Sequence, residues 1–273
     1  MMHLSVENLT FGYGSKPILK GVRIDGIGAG KVAAIIGPNA AGKSTLFKCL
    51  AGILKGTGNI FYDGRPIEAF RREEITKHVT YLPQEGASNA VLTVFEAILL
   101  ARQFSVSWRV SDDDLVTVSE TMEALEIADF ALRYLNELSG GQRQMVSIAQ
   151  ALVRNPDVLL MDEPTNSLDL QRQLEVLSIV RKATKAKGMT TLIALHDLNL
   201  ASRYADQFVV MSDGMVYASG RAESVLTPQM LEDIYGVHAE VSIDSHGQTV
   251  VTPMCSARNR IANRRPEYAQ LAV

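Results

Sequence analysis

An α/β fold with a mainly parallel sheet, an N-terminal antiparallel β subdomain and an inserted helical subdomain is predicted by three observations. First, short continuous apolar runs at 32–36, 158–161, 191–195 and 208–211 alternate with helical segments. Runs of this kind are strands buried on both faces, as in a parallel sheet covered by helices. Second, residues 4–61 are strand-rich and broken by glycines. Third, the middle of the chain, about 88–149, carries no strand pattern. Its apolar residues fall at helical spacing instead, at Val94, Ile98 and Leu99, then at Leu115, Val118, Met122 and Leu125.

Taken in order, Gly26, Gly28 and Gly30 precede the first buried run, Val32-Ala33-Ala34-Ile35-Ile36, and read as turn glycines. A dinucleotide fingerprint would follow that strand. What does follow it is Gly37-Pro38-Asn39-Ala40-Ala41-Gly42-Lys43-Ser44-Thr45. Leu46, Phe47, Leu50, Ile53 and Leu54 then recur at helical spacing. Strand, glycine-bounded loop and helix start form a phosphate cradle, because backbone N–H groups and the helix dipole both favour an anion there. In such a loop Lys43 reaches the β and γ phosphates, and the Ser44 hydroxyl joins a Mg²⁺ shell. The run 158–161 ends in Asp162 and Glu163. Two acids at the end of a buried strand are costly unless they meet a cation or do chemistry. Asp162 suits the Mg²⁺ shell, and Glu163 is placed to polarise an attacking water. Loop and acids together predict a P-loop NTPase core.

A second phosphate-facing surface is predicted at Leu138-Ser139-Gly140-Gly141-Gln142, which precedes a helical run through Met145, Ile148, Ala149 and Leu152. One chain has no use for two such surfaces on one γ-phosphate, whereas two chains placed head to tail do. On these motifs and their order the sequence resembles the ATP-binding cassette family over about residues 3–253. The resemblance implies a role for each matching residue. Tyr13 stacks on adenine, and Gln84, in Tyr81-Leu82-Pro83-Gln84, touches Mg²⁺ and water. Ser139, Gly140, Gly141 and Gln142 cap the partner's ATP, Asp169 crosses the dimer interface, and His196 senses the γ-phosphate. Read singly, Tyr13 also fits strand packing, Gln84 a solvated loop, and Asp169 a helix N-cap. Ala40 departs from the glycine that many relatives carry.

Composition narrows the class. The 273 residues suffice for one sizeable domain with an insertion, and 47% hydrophobic with 21% charged residues is ordinary for a globular protein. A net charge of -3 offers no basic footprint for nucleic acid. Cys49 and Cys255 are too few for a disulfide framework, and Cys49 reads as buried packing in a reducing compartment. No run spans a bilayer, and the start, MMHLSVENLTFGYG, lacks the basic-then-apolar order of a signal peptide. The expected organisation is a cassette over 2–240, followed by an extension and tail over 241–273 that carries Arg258, Arg260, Arg264 and Arg265. The resemblance further implies a Mg²⁺-dependent ATPase that forms a homodimer on the cytoplasmic face of the inner membrane. Its partners would be an integral membrane permease and a separate substrate-binding protein, with the permease contacting the region 91–102. A soluble, non-transport ATPase is the main alternative. The stretches 220–227 and 231–237, a strand near Val250-Val251, the Tyr-Leu-Pro-Gln form and His196-Asp197-Leu198 resemble cassettes serving ferric siderophore import first, haem second and vitamin B12 third.

Overall fold

The computed structural model describes residues 2–84, 91–103 and 110–257. Its first sheet is antiparallel throughout. β1 (Leu4–Tyr13) pairs with β2 (Lys16–Ile27) on one side and with β4 (Thr57–Tyr62) on the other, and β4 pairs with the short β5 (Arg65–Pro66). The second sheet contains β3 (Val32–Ile36), β6 (Val79–Leu82), β7 (Val158–Asp162), β8 (Thr190–Ala194), β9 (Gln207–Ser212) and β10 (Met215–Gly220). Its order is β10-β9-β3-β8-β7-β6, parallel except for β10, which runs antiparallel to β9 at one edge. A two-stranded hairpin, β11 (Val237–Ile243) with β12 (Thr249–Ser256), completes the described chain.

The two-residue period of a strand divides the core into two layers. Val32, Ala34 and Ile36 of β3 pack into one apolar cluster, and Ala33 and Ile35 pack into the other. On β7 the split is Leu159 and Met161 against Val158 and Leu160. One layer is closed by the antiparallel sheet and by α1 (Lys43–Leu50), through Leu46, Phe47, Cys49 and Leu50. The opposite layer is closed by α5 (Gly140–Val153), α6 (Leu170–Lys187) and α7 (Leu198–Tyr204). Burial on both faces is why these strands read as unbroken apolar runs rather than as alternations.

Between β6 and β7 lie α3 (Val94–Arg102) and α4 (Asp112–Ala124), followed by α5; α2 (Arg72–His78) precedes β6. The caps are written in the sequence. Thr93 and Glu96 bond reciprocally at the start of α3, and Ser111 and Asp114 do so at the start of α4. Arg102 then ties the end of α3 to Asp114 at 3.2 Å. Val94, Ala97 and Ile98 face Val118 and Met122 in the core. No strand occurs among the described residues of 88–149.

Several expectations change. α1 stops at Leu50 and the chain turns through Ala51 and Gly52, so Ile53, expected on the helix, lies beyond it and is 59% exposed. Leu115 faces outward from α4. Gly26 is a strand residue of β2 rather than a turn residue, and its φ of 142° favours glycine. β11 spans residue 240, and Val251 of β12 is buried in the core. Before it come α8 (Ala222–Val225), α9 (Pro228–Met230) and a π-helical turn, Leu231–Tyr235. Cys49 is buried and Cys255 exposed, both as thiols. The four tail arginines lie outside the described residues.

Candidate active site

The loop 37–42 leaves the C-terminal end of β3 and enters α1 at Lys43. Gly37 sits at φ 144°, and a Cβ there would lie 2.1 Å from the Met211 carbonyl oxygen, so β9 and the loop touch backbone to backbone. Ala40 adopts a left-handed φ of 64° without glycine's freedom, at a cost of roughly 1–2 kcal/mol. Lys43 is buried. Its Nζ donates to the Gly37 carbonyl at 2.8 Å and the Pro38 carbonyl at 3.1 Å, and burial lowers its pKa. Tyr235, far along the sequence, packs beside the Gly37 backbone, and burial raises its phenol to about 12.

Asp162 and Glu163 face this loop from the end of β7. The Tyr81 hydroxyl donates to Asp162 Oδ2 at 3.3 Å, and the Ser44 hydroxyl lies close enough to favour the charged carboxylate. Its Oδ1 is buried and has no hydrogen-bond partner among the described residues. Burial raises its pKa. An orphaned, desolvated carboxylate oxygen beside a serine hydroxyl is a hard-oxygen donor set, and it fits Mg²⁺ with room left for phosphate oxygens and water.

Glu163 is buried and held at a left-handed φ of 52°, a conformation that costs energy and is kept only where the surroundings over-determine it. Three side chains converge on its carboxylate. Gln84 Nε2 donates to Oε2 at 2.6 Å, Asn166 Nδ2 donates to Oε2 at 2.5 Å, and His196 Nε2 lies 2.5 Å from Oε1. Gln84, Glu163, Asn166 and His196 line one open cleft of about 550 Å³ together with the loop from Asn39 to Thr45. Sequence reasoning missed Asn166, whose only signal is its place three residues after Glu163. It also missed Ile18, which lines the cleft from β2.

The structure does not bring every expected residue to that cleft. Tyr13 ends β1 half-exposed, edge-on to Phe11 with ring centroids 5.0 Å apart, and it does not line the cleft. Ser139 caps α5: its hydroxyl accepts from Gln142 N at 3.2 Å while Gln142 Oε1 accepts from Ser139 N at 2.9 Å. Gly140 and Gly141 open the first turn of α5, and a Cβ on Gly141 would meet the Ser167 carbonyl at 3.2 Å. Asp169 caps α6, accepting from Arg172 N at 2.9 Å. Ser139, Gly141, Gln142 and Asp169 line a second cleft of about 220 Å³ that shares no residue with the first.

A parallel sheet with a glycine-bounded loop at the end of β3 and two acids at the end of β7, carrying a helical insertion, defines a P-loop ATPase of the cassette type. The chain matches the family model described as ABC transporter over residues 20–166 and belongs to that family. It is an ATPase whose activity serves transport. An uncharacterized ABC transporter ATP-binding protein of Methanocaldococcus jannaschii is 43% identical, over 93% of this chain and 99% of its own. The iron(3+)-hydroxamate import ATP-binding protein FhuC of Bacillus subtilis is 35% identical over 97% of this chain and 98% of its own. The hemin import ATP-binding protein HmuV of Vibrio parahaemolyticus is 35% identical over 88% and 93%. A solved dimeric structure of a bacterial ABC transporter cassette superposes with a TM-score of 0.72 at 27% identity, covering 80% of this chain and 98% of that one.

Proposed function

We propose that this chain energises import of a ferric siderophore, by closing head to tail with a second copy around two ATP molecules. One observation carries the dimer. The phosphate loop and the Ser139 helix start line separate clefts of the same chain, so neither cleft alone surrounds a nucleotide. In the pair, the loop 37–45 and Lys43 hold the phosphates of one ATP. Ser139, Gly140, Gly141 and Gln142 of the second copy cover the γ-phosphate, and Asp169 lies at the seam. Tyr13, exposed at the end of β1, is free to swing onto the adenine. Ser44, Asp162 and Gln84 would hold Mg²⁺, which would supply charge neutralisation of the phosphates. Glu163 orients the attacking water through its carboxylate, and His196 carries charge developing on the γ-phosphate. Water adds to the γ-phosphorus, the bond to the bridging oxygen breaks, and ADP and phosphate separate as the pair reopens.

The permease partner is proposed to dock on a groove of about 450 Å³ beside Gln84, lined by Ile53, Pro83, Ala101 and Gln150. It joins Ala101 of the expected 91–102 region to the core, and Pro83 in its lining directly precedes Gln84, whose amide bonds the Glu163 carboxylate. No described helix is long and apolar enough to cross a membrane, which fits a subunit acting through an integral partner. The substrate class leans on the relatives named for iron-hydroxamate and hemin import. The test is genetic. Deleting the gene should abolish uptake of a radiolabelled ferric siderophore under iron limitation, and a Glu163→Gln copy should not restore it. Retained siderophore uptake with lost haem uptake would transfer the assignment to haem; loss of neither would discard iron import.

A further inference from the structure

At the N-terminal end of the parallel strands, opposite the nucleotide cleft, five separate segments converge on a small polar cavity of about 200 Å³. Lys31 immediately precedes β3, Arg181 comes from α6, and Ser202 and Arg203 from the last turn of α7. Arg221 precedes α8, and Thr249 opens β12. Since β3 separates Lys31 from Gly37 by six residue steps, the cavity lies roughly 20 Å from the phosphate loop.

Two features set it apart from an ordinary charged surface. Its lining holds four cations, Lys31, Arg181, Arg203 and Arg221, against two carboxylates, Asp206 and Glu223, a balance of +2. Asp206 accepts from Val32 N at 3.0 Å and pairs with Lys31 Nζ at 4.0 Å, which leaves the excess positive charge on the arginines. Arg181 donates one guanidinium hydrogen to the Arg203 carbonyl at 2.6 Å, which fixes the fork and leaves its other donors. The second feature is independent of charge. Ser202 and Thr249 are 6% and 3% exposed, and the hydroxyl oxygen of each is buried with no hydrogen-bond partner among the described residues. Leaving a buried hydroxyl without a partner costs about 1–3 kcal/mol, and here two belong to residues that line one cavity.

We propose that this cavity binds a small phosphate-class anion, either free orthophosphate or the phosphoryl end of a small metabolite. Guanidinium forks match tetrahedral oxyanions geometrically, and a side-chain rotation at Ser202 and Thr249 would turn the two orphaned hydroxyls toward such an anion as neutral donors. The β11–β12 hairpin forms one wall, so an occupant would pin this hairpin to α6, α7 and the start of β3.

The test is equilibrium dialysis of the full chain with radiolabelled orthophosphate, and in parallel with radiolabelled glycerol 3-phosphate. Lys43→Ala serves to cripple the phosphate loop and Arg181→Gln/Arg221→Gln the cavity. The proposal expects binding near one per chain that survives Lys43→Ala and weakens at least about tenfold in the double variant, a loss of two charge-assisted contacts. Thr249→Val, which keeps shape and removes one hydroxyl, should weaken binding by a smaller factor. Binding of glycerol 3-phosphate alone would assign the organic source, and binding of both would assign the shared phosphate. Binding lost in Lys43→Ala and kept in the double variant would overturn the site, as would no binding of either probe to a chain whose circular dichroism is native. Thr249→Val that melts higher with unchanged phosphate binding would also overturn it, by marking the hydroxyl as a mere packing defect.

Discussion

Replacing Glu163 by Gln separates chemistry from structure, because the surroundings of this carboxylate tolerate an amide. Oε2 accepts from Gln84 and Asn166, and Oε1 faces His196 Nε2. A glutamine that leaves its oxygen toward Gln84 and Asn166 turns its NH₂ toward the imidazole, where a neutral ring nitrogen accepts it. The left-handed backbone is unchanged by the swap. Two charge-assisted bonds become neutral ones, a loss of about 1 kcal/mol each. Removing a negative charge that presses on Asp162 offsets part of that loss. The expected melting temperature therefore stays within about 4 °C of wild type. Hydrolysis depends on the lost charge, and removing a positioned base costs about 10²–10⁴-fold. The assay is steady-state phosphate release with saturating ATP and Mg²⁺, with nucleotide affinity and thermal melting measured on the same preparation. Phosphate release within a factor of a few of wild type would refute the role of Glu163. So would a rate loss accompanied by an equal loss of folded protein, which would make the residue a structural anchor.

Two further perturbations follow from the loop and the acid beside it. Ala40→Gly should raise the melting temperature by about 2 °C, since relief of the left-handed strain exceeds the entropy that glycine adds to the unfolded chain; a drop on a scanning calorimeter would mean that the strain is absent. Asp162→Asn should stabilise the nucleotide-free chain at neutral pH while removing the extra stability that Mg²⁺ with ATP confers. The sign follows from burial: the pKa is raised in the fold, so the stability associated with protonated Asp162 is full below its ordinary value of 3.8 and is lost as pH rises through the higher folded value. The advantage of the asparagine should accordingly shrink as pH is lowered toward 3.8, and melting curves across pH, with and without Mg²⁺ and ATP, check both halves.

The parallel core was legible because β3, β7, β8 and β9 are buried on both faces and therefore appear as unbroken apolar runs. β10 escaped the sequence reading for the opposite reason. It is an edge strand whose residues alternate between exposed and half-buried, and Met215 and Tyr217 point outward. Ile53 continued the helical period of α1 in sequence, but a period does not show where a turn at Ala51 and Gly52 ends a helix. At the site, Lys43, Asp162 and Glu163 were readable because each stands at a strand or helix end that the apolar pattern locates. Asn166 and Tyr81 were not assigned roles, since their contacts with Glu163 and Asp162 exist only once the turn after β7 and the β6–β7 pairing have formed. The cavity around Ser202 and Thr249 had no local signature at all, being assembled from residues as far apart as Lys31 and Thr249.

Mixing two inactive variants tests directly whether two copies complete each other's sites. Lys43→Ala removes the phosphate lysine, and Ser139→Arg blocks the opposing helix start; alone, each leaves every composite site damaged. In a two-fold pair of one chain of each kind, one site carries both lesions and the other carries neither. Random assortment places half of the chains in such pairs, so mixing equal amounts should restore ATP hydrolysis to at most about a quarter of the wild-type rate per chain. Recovery toward that level, from two preparations inactive on their own, is the predicted result. No recovery at concentrations where the wild-type chain is active, or full activity in either variant alone, would contradict it.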